Sequence, residues 1–128
     1  MNSRVIVERV VCHVDARGVV FEPLPPELIP GQRNVHVVLT EAGGVRGNHA
    51  HPAGTETVTV FGAARVRIRE EGRVRDIRVA DGEVVRLTIP PGIAHAFQNT
   101  GSKPMLLAVF NTVPHDPARP DLVRDVLL

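Results

Sequence analysis

Tryptophan and tyrosine are absent from this 128-residue chain, phenylalanine occurs four times and cysteine once. Without tyrosine the chain has no phenolic proton donor. With 3% aromatic residues it has little on which to stack the bases of a nucleic-acid strand. The lone Cys12 excludes an internal disulfide and a thiolate zinc site. A large excess of either charge is missing too: fifteen basic residues face fourteen acidic ones, for a net +1. That is too little to hold nucleic acid or an anionic membrane, so no partner of either kind is expected. Charge interrupts the opening Met-Asn-Ser-Arg-Val-Ile-Val-Glu-Arg before a signal peptide's apolar run of about 7 residues can form. No run of about 18 apolar residues follows, so a cytoplasmic protein is expected.

What is present is 43% apolar residues, 23% charged residues, 11 Gly and 11 Pro, the balance of a folded domain. At this length one core buries about two-thirds of the unfolded chain's surface, and a single domain over residues 1–128 is expected. Apolar residues recur at period two or in short Val-rich runs, broken by Gly, Pro, Asp and Asn. This predicts strands over Val5–His13, Val19–Glu22, Asn34–Thr40, Gly47–His51, Glu56–Phe61, Arg65–Glu70, Val74–Val79, Val84–Ile89, Ala94–Asn99 and Met105–Thr112. Helix is confined to one turn at Pro25–Ile29 and to Asp121–Leu128, where Leu122, Val123, Val126 and Leu127 form an apolar stripe. Short strands in this number mean an all-β sandwich or barrel. Arg65, Arg67 and Arg69 alternate with Val66 and Ile68, which reads as a solvated outer face over an apolar inner one.

Chemistry concentrates between Gly43 and Glu56. Residues two apart on a strand point the same way, so His49 and His51 lie about 6 to 7 Å apart, within reach of one ion. Pro52-Ala53-Gly54-Thr55 is turn material that lets Glu56 open the next strand beside them, and His95 follows a Pro90-Pro91-Gly92 turn. Three imidazoles and a carboxylate make a borderline to hard donor set. It suits zinc, manganese, iron, nickel or divalent copper, and suits copper(I) poorly.

Gly43, His49, His51 and Glu56 fit the first cupin motif, and Pro90, Gly92, His95 and Asn99 fit the second at every spacing. Over most of its length the chain thus resembles the cupin superfamily. The resemblance implies a double-stranded β-helix (jelly-roll) barrel in which His49, His51, Glu56 and His95 match the metal ligands, and it implies a homodimer, with the Val-rich N-terminal strand as an exchanged or pairing edge. One spacing departs from the pattern. Only five residues separate Glu56 from Gly62, and an ungapped alignment places Thr55 at the ligand position. Strand parity favours Glu56, which shares its face with Val58 and Val60, while Thr55 shares its face with Thr57 and Thr59.

A finer resemblance covers Arg46-Gly47-Asn48-His49-Ala50-His51, which is similar to a run in cupins that isomerise or epimerise nucleotide-linked keto sugars. Asp15-Ala16-Arg17-Gly18 looks like the opening of the dTDP-4-keto sugar 3,5-epimerase group, and Asn111 to Asp121 looks like the tail of capsule-pathway sugar cupins. By that resemblance Arg46 contacts the diphosphate, a role suited to a bidentate guanidinium. Such chemistry removes a proton beside a ketone and returns it elsewhere, which needs a base and a group that stabilises the enolate. The 3,5-epimerases use a tyrosine as acid, so here the acid must be a histidine or metal-bound water. If the metal takes His49, His51 and His95, then His36, which points the same way as Asn34 and Val38, is the spare base. Two other functions fit the same ligand set: a cupin dioxygenase, and a barrel that binds a small ligand without catalysis.

Overall fold

The structure is a computed structural model and describes residues 4–128. Its strands are β1 (Ile6–Arg9), β2 (His13–Asp15), β3 (Gly18–Val20), β4 (Asn34–Thr40), β5 (Val45–Ala50), β6 (Glu56–Phe61), β7 (Ala64–Glu70), β8 (Arg73–Val79), β9 (Val84–Ile89), β10 (Ala94–Asn99), β11 (Met105–Asn111) and β12 (Val123–Arg124). A single 3-10 turn runs over Pro26–Gly31. One sheet has the order β1-β9-β6-β11-β4, the other β12-β5-β10-β7-β8, and β2 pairs with β3 as a separate hairpin. The two sheets close over a common core in the jelly-roll arrangement of a double-stranded β-helix.

Period-two alternation builds that core. Val58 and Val60 of β6, Leu87 and Ile89 of β9, and Leu107 and Val109 of β11 face Val66 and Ile68 of β7 and Phe97 of β10 in one apolar cluster. On β7 the alternate residues Arg65, Arg67 and Arg69 turn outward, where Asp76 and Asp125 neutralise them. The centre of the first sheet is covered on its outer face as well. Thr59 donates its hydroxyl to the Pro23 carbonyl at 2.6 Å, Phe21 stacks at 5.6 Å on Phe61, and Leu24 packs with Ala108 and Phe110. β6 is consequently buried on both faces, and Glu56 begins a strand enclosed in protein.

Two expected elements differ. The stretch Val5–His13 is not one strand: β1 pairs with β9 from Ile6↔Thr88 to Arg9↔Val85, and after Val10 the chain leaves the sheet and re-enters pairing only at β2. Asp121–Leu128 forms no helix. Eight residues are too few for a stable helix without tertiary support, and this segment finds better partners in β5. Val123 pairs with Ala50 and Arg124 with His49, while the Asn48 side chain accepts from the Leu127 and Leu128 amides at 2.8 and 3.1 Å. The apolar stripe expected there does not form, and Val123 and Val126 are exposed. Among the described residues no helix is long and apolar enough to cross a membrane.

Candidate metal centre and pocket

β5 and β10 bring the histidines together through an irregularity in their pairing. His49 lies opposite His95, but the next pair is Gly47 opposite Ala96, so Asn48 is an extra residue on β5. Its φ of 59° and the φ of 90° at Gly47 set the bend. A Cβ at Gly47 would fall 2.7 Å from the His95 carbonyl oxygen, so only glycine permits the approach. His49 and His51 end with ring centroids 4.8 Å apart, and His49 and His95 with theirs 4.9 Å apart. Glu56, 6% exposed, projects into the same space from the first residue of β6. The donor atoms of His49, His51, Glu56 and His95 all lie within 4.8 Å of one another. Thr55 stands outside this group; its amide donates to the Thr112 hydroxyl at 3.0 Å.

Hydrogen bonds set the state of two of the rings. His51 Nδ1 is 2.7 Å from the Asp121 carbonyl oxygen, and His95 Nδ1 is 3.0 Å from that of Ile93. A carbonyl only accepts, so each neutral ring carries its proton on Nδ1 and turns a bare Nε2 lone pair inward. Those nitrogens face the Glu56 carboxylate at 2.6 Å from His51 and 3.1 Å from His95. Acceptors opposed to acceptors at that range need a positive charge between them, either a proton or a metal ion. With ligand bonds of about 2.1 Å and angles near 90°, neighbouring donor atoms stand roughly 3 Å apart, so the residues fit a divalent ion.

The electrostatics agree with a cation-seeking site. Burial, followed by the neighbouring His95 and His51, pushes His49 down to about 4, so its ring is neutral at pH 7. Burial also opposes protonation of His51, but the hydrogen bond and charge of Glu56, aided by Asp121, outweigh it and raise His51. Glu56 is penalised by burial yet held well below the usual carboxylate range by His51 and His95. In the metal-free protein, His49 therefore dominates stability in mild acid. Between its unfolded value of 6.5 and its folded value of about 4, the unfolded chain binds a proton that the folded chain refuses, so stability falls as pH drops through that window. Glu56 contributes above its ordinary 4.5 and loses that only at lower pH; the His51 contribution is full below 6.5 and fades as pH rises. The expected His49 effect is on the order of 1–3 kcal/mol after screening by solvent. Denaturant melts at pH 7 and pH 4.5 check it: His49→Asn should lose less stability than the parent, and an equal loss in both would exclude the assignment.

His49, His51 and Glu56 line a cavity of about 310 Å³, with His95 fully buried behind them. Asn34, His36 and Val38 of β4 form one wall, as their shared parity predicts, and Phe97, Leu107 and Val109 supply apolar surface. Arg46 also lines it, its Nε donating to the Thr40 hydroxyl at 3.2 Å. Asn99 lies outside the cavity lining and braces a turn, donating to the Thr40 and Lys103 carbonyls and accepting from the Gly101 amide. Sequence reasoning missed the far wall, which comes from residues 113–116 and 120–122 and brings His115, Asp116 and Asp121 to the opening. His115 carries no assignment from the sequence; only the likeness of Asn111 to Asp121 to the tail of sugar cupins marks this stretch.

The family model described as "Polysaccharide biosynthesis C-terminal domain" matches residues 13–123. No curated protein matches the chain in sequence. Among solved structures, the capsular polysaccharide assembling protein CapF from Staphylococcus aureus is 24% identical with a TM-score of 0.68, covering 92% of this chain and 33% of its own. This chain thus spans about a third of CapF. QdtA, a sugar 3,4-ketoisomerase from Thermoanaerobacterium thermosaccharolyticum solved in complex with TDP, is 20% identical with a TM-score of 0.73, covering 98% of this chain and 90% of its own. The rmlC epimerase of Mycobacterium tuberculosis is 23% identical with a TM-score of 0.69, covering 90% and 66%. These likenesses establish the cupin fold.

Proposed function

The chain belongs to the polysaccharide biosynthesis C-terminal domain family, and from that premise we propose that it is a metal-assisted isomerase or epimerase of a nucleotide-linked keto sugar. The observation that carries the reading is the cavity itself. A cation-seeking cluster, an uncommitted histidine on β4 and an arginine line one space whose remaining surface is largely apolar. A metal ion bound by His49, His51, Glu56 and His95 would supply positive charge against an oxygen that becomes anionic.

The rest falls to the protein's own groups. His36 takes the proton from the carbon beside the ketone onto a ring nitrogen. Return of a proton to the other face of that carbon gives an epimer; its return to the former carbonyl carbon, with the proton of the adjacent hydroxyl passing to the old carbonyl oxygen, gives an isomer. Val38, Phe97, Leu107 and Val109 limit the water that would otherwise trap the intermediate. Arg46 holds the diphosphate outside the reacting ring.

A suitable probe is TDP-4-keto-6-deoxyglucose, with which a QdtA structure is in complex. Arg46→Ala should weaken its binding by about 1.5 to 3 kcal/mol, roughly 10- to 150-fold, with metal content unchanged. Calorimetry on parent and variant measures this. Failure of the parent protein to bind any nucleoside diphosphate sugar would remove the proposal.

A further inference from the structure

We infer that Asp121 is a positioning residue that sets the tautomer and orientation of His51 by clamping the C-terminal strap onto the turn after the H-x-H segment. The inference deepens the proposed function by assigning control of one of its four donor groups to a residue some seventy positions away.

Asp121 engages that turn at three points. Its carboxylate oxygens accept from the successive amides of Ala53 at 2.9 Å and Gly54 at 2.8 Å. Its own carbonyl accepts from His51 Nδ1 at 2.7 Å. The three bonds enclose Pro52, so a shift of the strap moves the acceptor of His51 with it. The strap's continuation is fixed by β12 pairing and by the Asp125 amide, which donates to the Asn48 carbonyl at 2.9 Å. At Asp121 itself the carboxylate is the closing contact. Gly54 is packed so tightly on the Asn111 amide that no side chain fits there, and the strap consequently approaches a nearly bare backbone.

The chemical consequence is specific. A neutral imidazole in water prefers its proton on Nε2, the nitrogen that here faces Glu56. The Glu56 carboxylate at 2.6 Å reinforces that preference in the metal-free protein, so the Asp121 carbonyl is the contact that holds a proton on Nδ1. A cation that displaces the Nε2 proton then meets a lone pair aimed inward. His95 gains the same state from the Ile93 carbonyl two residues away, within its own strand entry, and needs no strap. The two rings therefore provide an internal comparison.

The test is nitrogen NMR of the ¹⁵N-imidazole groups in the metal-free protein at pH 8.5. The parent should show both His51 and His95 with Nδ1 protonated. Asp121→Ala should convert His51 to a mixture or to the Nε2-protonated form while His95 stays unchanged, and Asp121→Asn, which keeps one acceptor, should fall between them. An unchanged His51 in Asp121→Ala would overturn the inference, as would equal changes in His51 and His95, the signature of general loosening. A Co(II) titration provides the second readout. Asp121→Ala should bind about 10- to 100-fold more weakly, as for other partners that orient a ligand. An affinity equal to the parent's would also count against the inference. If the parent itself bound no Co(II), the metal reading would fall while the NMR result still decided the role of Asp121.

Discussion

Glu56→Gln should reduce divalent-metal affinity by more than about 100-fold and leave the protein folded. Gln has the shape of Glu but no charge, and the site's affinity rests on one anionic donor among three neutral imidazoles. The loss should exceed the 10- to 100-fold typical of residues that only orient a ligand. The fold survives because glutamine fills the same volume and its amide nitrogen donates to one of the two Nε2 atoms, which face different carboxylate oxygens at 2.6 Å (His51) and 3.1 Å (His95). The ring left facing the amide oxygen keeps that contact by carrying a proton on Nε2. Metal content by elemental analysis and affinity by calorimetry provide the measurement, with thermal melts as the control for folding. Thr55→Ala serves as the contrast and should bind metal as the parent does, since its strand face lies away from the cluster. If Thr55→Ala lost the metal and Glu56→Gln kept it, the ungapped alignment would give the right ligand. Affinity should also fall below about pH 6.5, where protons compete for the imidazoles.

Much of this geometry is legible in the sequence where neighbours along the chain decide it. Asn34–Thr40, Glu56–Phe61, Val84–Ile89 and Ala94–Asn99 have the ends that the sequence predicts, because turn residues bound each run and, in the first three, β-branched residues recur within it. Parity alone turns Glu56 inward with Val58 and Val60, and places His36 on the cavity wall with Asn34 and Val38. What alternation misses are the places where distant segments meet. The bulge at Asn48 depends on β10 passing close to Gly47, and it sets the register that places His49 opposite His95. The tail reads locally as an amphipathic helix; only the capture of its backbone by Asn48 and of the 53–54 turn by Asp121 makes it extended. Local periodicity carries no trace of a bond between residues 51 and 121. The far wall of the cavity, with His115, stays hidden for the same reason.

The second large effect concerns catalysis, and it separates the functions that one ligand set permits. With TDP-4-keto-6-deoxyglucose in D₂O, the parent protein should incorporate deuterium at the carbon beside the ketone, and His36→Ala should slow incorporation by about 10²- to 10⁴-fold, the usual worth of a general base. His36 suits the test because it lines the cavity from an edge strand, outside the donor cluster. Its loss leaves His49, His51, Glu56 and His95 in place, and metal content should not change. Removing the metal with a chelator should abolish exchange as well, since the developing negative charge then loses its counter-charge. Exchange that survives metal removal but disappears in His49→Ala would mean that the histidine pair itself moves the proton, and the ligand assignment would be wrong. That outcome runs against the electrostatics, because a ring held at about 4 by burial is a poor base at neutral pH. Oxygen uptake with a keto or enol substrate, in the absence of any exchange, would assign the same three imidazoles and carboxylate to oxygen chemistry instead.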